Sequence, residues 1–65
     1  MFNEDELYKF YLKGWNDSAD KVESRPDIKK GENAFAYELG IIDWSLGYGI
    51  LKKEEVAEYA KRRGY

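Results

Sequence analysis

The 65-residue chain contains no cysteine and no histidine, one proline and one methionine. Lacking cysteine, it has no disulfide to staple a small fold. Lacking both residues, it is without the usual ligands of a zinc site and the usual groups of thiol redox chemistry. General acid–base catalysis loses its commonest side chain as well, since histidine alone titrates near neutral pH without perturbation. No apolar run approaches the roughly 18 residues needed to cross a bilayer. The acidic opening Asn3-Glu4-Asp5-Glu6 is also unlike a secretory leader, which starts basic and turns apolar. A soluble cytoplasmic protein with no cofactor, metal site or membrane partner is expected.

What is present compensates for what is missing. Aromatic residues make up 17% of the chain, and six of them are tyrosines. Each ring can bury on the order of 150–250 Å². A chain of about 60 residues buries only around 60% of its unfolded surface, so aromatics are an efficient way to close a single domain over residues 1–65. Tyrosine and tryptophan are also enriched at interface hot spots, which gives the same residues a second use.

The apolar spacing predicts an all-α fold: a compact three-helix domain, with an antiparallel helix pair and a short C-terminal helix. Asn3 is a cap, and Glu4, Asp5 and Glu6 meet the positive end of the first helix dipole. Leu7, Tyr11, Trp15 and Val22 then continue at helical spacing, and Pro26 places the end near residue 23. A second helix over about 32–47 carries Phe35, Leu39, Ile42 and Leu46 on one stripe. Apolar over more than half its circumference, it is expected to be the central, most buried element. Gly47 and Gly49 stop it. A third helix over about 53–63 has Glu54 and Glu55 in its first turn and Lys61, Arg62 and Arg63 in its last. Its inward residues are expected to be Val56, Tyr59 and Ala60, with Ile50 or Leu51 folding back on it.

One internal echo stands out. Tyr11-x-x-Gly14-x-x-Asp17 and Tyr37-x-x-Gly40-x-x-Asp43 share a pattern at an offset of 26 residues, and Glu6 and Glu32 coincide at the same offset. Glycine inside a helix costs about 1 kcal/mol relative to alanine, so its presence in both copies points to close backbone approach. The expectation is two helices crossing near Gly14 and Gly40, each tyrosine lying over the partner helix. Coincidence and a ligand site built from Asp17 and Asp43 are the alternatives.

The positions Tyr11-x-x-Gly14, Pro26 and Tyr37-x-x-Gly40 resemble the ribosome modulation factor family and its short phage-borne relatives. The likeness covers about residues 8 to 47. It implies two helices joined by a proline-containing loop, and docking on the small ribosomal subunit. Family members are strongly basic, whereas this chain carries a net charge of −2 and has a pI near 5.1.

Catalysis finds little to work with. A general acid or base would have to be Asp17, Asp43 or Glu38. Ser18, Ser24 and Ser45 have no visible base, and Gly47-Tyr48-Gly49 follows a helix instead of opening one as a phosphate loop does. The basic clusters Lys29-Lys30, Lys52-Lys53 and Lys61-Arg62-Arg63 alternate with acidic stretches, as a solvated surface does.

The leading expectation is therefore a non-enzymatic interaction protein, of the kind phages encode, that binds and modulates or inhibits a larger host protein or complex. Its contact face is expected among Tyr8, Trp15, Tyr48, Tyr59 and Tyr65, flanked by Lys61, Arg62 and Arg63. Ribosome or RNA association through the basic C-terminal residues is the second reading, and a self-associating homodimer the third.

Overall fold

The computed structural model of the chain describes residues 2–65. Three helices form, α1 (Glu4–Ala19), α2 (Gly31–Ser45) and α3 (Lys53–Arg62), and the described residues contain no strand. The all-α three-helix architecture is as the apolar spacing predicts. The molecule measures 31 × 25 × 17 Å. α1 and α2 share the largest interface, and α3 packs chiefly on α1.

Asn3 caps α1 through its side-chain oxygen, which accepts from the backbone N–H of Asp5 and Glu6 at 2.9 and 3.1 Å. Two of the orphan donors at that helix end are thereby satisfied. α1 ends at Ala19, well before Pro26, and its terminator is a backbone motif that composition does not announce. Lys21 adopts φ 58°, Lys21 N–H bonds to Ser18 C=O and Val22 N–H to Asp17 C=O. This is a Schellman closure with lysine where glycine is usual. α2 closes in the same way, two residues before Gly47. Gly47 (φ 77°) donates to Trp44 C=O, and Tyr48 donates to Asp43 C=O.

The buried core consists of Leu7, Tyr11, Ala36, Val56, Ala57 and Ala60. Leu51 packs against it while Ile50 is exposed, so Leu51 is the residue that folds back. Ala57 takes the inward place expected of Tyr59, which is exposed, and Val22 is exposed beyond the end of α1.

The largest correction concerns α2. Its buried residues are Asn33, Ala36, Tyr37, Gly40 and Asp43, a face of small and polar side chains. The stripe expected to be most buried lies elsewhere. Phe35 and Leu39 are only partly covered, and Ile42 and Leu46 are exposed. The reason is steric: two helices that meet at glycines need small residues between their backbones, so α2 turns its narrow face toward α1, while Phe35 and Leu39 pack only partly against the core and Ile42 and Leu46 stay exposed.

Candidate functional site

The 26-residue echo becomes geometry at the α1–α2 crossing. A Cβ on Gly14 would run into the carbonyl of Tyr37, and one on Gly40 into the carbonyl of Tyr11 and, at 2.7 Å, the amide of Trp15. Backbone thus lies against backbone, with no room for a side chain. Over this contact the tyrosines reach across reciprocally. Tyr11 Oη donates to Asp43 Oδ2 at 2.7 Å, and Tyr37 Oη donates to Asp17 Oδ2 at 2.7 Å. The first turns of the two helices meet as well, through Asn33 Nδ2 donating to Glu6 Oε1 at 2.6 Å. α1 and α2 therefore run in the same direction, and the expected antiparallel pairing does not hold. The connection between them is long enough to return the chain to the start of α1, where Lys30 pairs with Glu6.

Burial pushes the Tyr37 hydroxyl up to about 12, and the hydrogen bond and negative charge of Asp17 add to the effect. Burial pushes Tyr11 further, opposed by the Leu51 N–H and assisted by Asp43. Both phenols are therefore neutral donors at any ordinary pH, and their partners serve as acceptors. No buried side-chain polar atom lacks a partner among the described residues. Tyr11, Gly14, Asp17, Tyr37, Gly40 and Asp43 thus form a closed structural network, with both carboxylates engaged by the protein itself. No group of three or more acidic side chains among the described residues converges as a metal cage requires.

The rings expected to form a contact face separate into two kinds. Tyr8 is committed to the interior: its ring stacks on Tyr11 at 5.9 Å and its hydroxyl donates to Leu51 C=O at 2.8 Å. Tyr11 Oη accepts from Leu51 N–H at 2.9 Å, so two tyrosines of α1 clamp both backbone groups of one loop residue. Trp15 is half-buried. Tyr48, Tyr59 and Tyr65 are exposed, though not alike. Tyr65 leans on Phe35, ring centroids 5.9 Å apart, and Tyr59 lies under the Arg62 guanidinium at 6.0 Å. Tyr48 stands 60% exposed on the α2–α3 loop.

The basic residues are likewise largely engaged. Lys53 reaches Asp5 at 2.8 Å, which raises its pKa above the usual lysine value through the hydrogen bond and the charge of Asp5. Arg62 pairs with Glu58 at 3.6 Å, and Arg63 covers the Phe35 ring at 5.9 Å. Lys61 is exposed at the end of α3.

Of the apolar segment running from the last turn of α2 into the loop, the sequence reading named only Tyr48 as a contact residue and missed the exposure of its neighbours. Within it Trp44, Leu46, Tyr48 and Ile50 are all exposed, Leu46 by 61% and Ile50 by 51%. A signal was available: the 26-residue offset sets Ser18, Asp20, Val22 and Ser24 of the first copy against these four. The same helix ending is built once with mostly polar residues and once with large apolar ones.

No family model matches this chain, and neither a curated protein nor a solved structure does. No helix among the described residues is long and apolar enough to cross a membrane.

Proposed function

We propose that this chain is a small binding protein that acts by docking the Trp44–Ile50 segment on a larger protein, thereby modulating it. One observation carries the reading. Both helices end in the same backbone closure, which bonds main-chain groups alone, so it makes no demand for the rings and aliphatics found in the second copy. At about 25 cal/mol per Å², exposing them costs stability that a domain of this size has little reason to forgo unless something covers them. The chemistry of the segment fits a protein surface: an amphipathic tyrosine, an indole and two branched aliphatics, with no charge between Trp44 and Ile50.

Ribosome or RNA association draws less support. Phosphate recognition needs free cations. Lys53 and Arg62 face acids and Arg63 lies on a ring, which leaves Lys52 and Lys61 of the C-terminal basic residues exposed without an ion pair among the described residues.

A photo-crosslinking residue placed at Tyr48 tests the docking reading in the cells that make the protein. One dominant covalent adduct is expected, absent when the crosslinker stands at Lys9 on the outside of α1. Equal labelling from both positions, or adducts made only of nucleic acid, would overturn it.

A further inference from the structure

We propose that two copies of this chain associate about a two-fold axis through the outer stripe of α2, formed by Phe35, Leu39, Ile42 and Leu46. This surface shares only Leu46 with the docking segment: at about 100° per residue, Trp44 lies on the other side of α2 from Ile42.

The stripe is matched to itself. Its intervals are four, three and four residues, the a/d spacing of a coiled-coil seam, and they read the same in both directions. A second α2 laid antiparallel therefore sets each Phe35 against Leu46 of the other copy and each Leu39 against Ile42. A two-fold contact needs this kind of self-complementarity, and it closes without leaving a free end.

The relief follows the same rule. A groove of about 380 Å³ is lined by Phe35, Leu39 and Ile42 of the stripe together with Arg63 and Tyr65. Eleven residues on from Phe35, or roughly 16 Å along the axis, Leu46 projects as the most exposed member of the stripe. The two-fold places each projection over the other copy's groove.

Charge does not oppose the pairing. Glu38, which lines that groove, is level with Asp43 of the second copy in this register, but Asp43 is buried toward α1 and held by the Tyr11 hydroxyl, so the two carboxylates do not confront each other.

The echo supplies an internal control. The 26-residue offset relates the four stripe residues to Lys9, Lys13, Asn16 and Asp20 of α1, and all four of these are exposed and polar. The helix crossing thus requires no apolar stripe at those places.

A standard interface takes roughly 800 Å² from each partner, about a sixth of the 4584 Å² this chain exposes. Four side chains and a groove edge make a smaller one, so the dimer is expected to form in the micromolar range.

Sedimentation equilibrium of the full chain, from low micromolar to millimolar, tests the pairing. The expected mass approaches twice 7.7 kDa at the upper end. Ile42→Glu, an exposed stripe position outside the docking segment whose helical circular dichroism should match the parent, is expected to weaken association at least about tenfold. Because the chain has no cysteine, a mixture of Leu39→Cys and Ile42→Cys copies, which the register sets face to face, gives a second readout. It should oxidise to a mixed covalent dimer, while Lys9→Cys should not. A monomeric mass at every concentration would overturn the proposal, as would equal oxidation of the mixture and of Lys9→Cys. Either failure leaves the docking role of Tyr48 and Ile50 untouched, since neither residue is altered.

Discussion

α1 and α2 are the same device built twice and finished differently. Each carries a tyrosine, a glycine and an aspartate along one side, and each ends in a closure in which the aspartate's own carbonyl accepts the last amide. On the inside they are interchangeable in kind, and on the outside they are opposites. Lys9, Lys13, Asn16 and Asp20 face water where α2 presents Phe35, Leu39, Ile42 and Leu46. The crossing fixes the inner half of each helix, and the outer half of α2 carries apolar side chains that are partly covered or exposed.

The severest way to break the comparison is to fill the crossing. Gly14→Ala and Gly40→Ala each drive a Cβ into facing backbone, which cannot rotate aside as a side chain can. Each should cost about 3 kcal/mol or more, at the top of the usual range for overpacking, enough to leave a marginal domain largely unfolded by circular dichroism. Tolerance of alanine at one position alone would show that the two glycines are not equivalent.

Alkaline titration separates the tyrosines from the rest of the fold. Tyr37 has its pKa raised from about 10 to about 12, and Tyr11 is raised too. The native state thus holds these protons more tightly than the unfolded chain does. Their contribution is complete below about pH 10 and declines as pH climbs through the folded-state values, by about 1.4 kcal/mol per unit for each group. Thermal melts at rising pH should show midpoints falling steeply above pH 10, with the phenolate absorbance of both residues appearing only as the helices melt.

Removing one hydroxyl at a time sharpens the contrast between the two halves. Tyr11→Phe strands a buried carboxylate and the Leu51 amide together, an expected loss of about 2–3 kcal/mol in chemical denaturation. Tyr37→Phe should cost about 1 kcal/mol, because Asp17 keeps Lys13 nearby at 3.6 Å.

The mildest changes exchange the helix ends. Lys21→Gly should stabilise by roughly 0.5–1 kcal/mol by relieving a left-handed lysine. Gly47→Ala should destabilise by about 1 kcal/mol at the matching position. Differential scanning calorimetry of the pair checks both signs.

These contrasts also show where the sequence was readable. The three helices, the Asn3 cap and the paired glycines follow from local rules: periodicity, capping chemistry and the cost of glycine in a helix. The end of α1 does not, because Lys21 carries no mark of its left-handed backbone and Pro26 offers a stronger but later stop. The orientation of α2 was obscured for another reason. Hydrophobicity alone assigns Phe35, Leu39, Ile42 and Leu46 to the interior, yet the demand for close backbone approach at Gly40 outranks the area those residues would bury. The tie between Tyr8 and the Leu51 backbone spans 43 positions and leaves no trace in composition.

The clamp on Leu51 has a consequence for recognition. The loop that carries Tyr48 and Ile50 is tied at its start by the closure of α2 and at its finish by two phenol hydroxyls. Its main chain is therefore largely preorganised before any encounter, and association would have to freeze little beyond the rings themselves. That would trim, for the docking proposed above, the entropic penalty that commonly weakens flexible recognition segments.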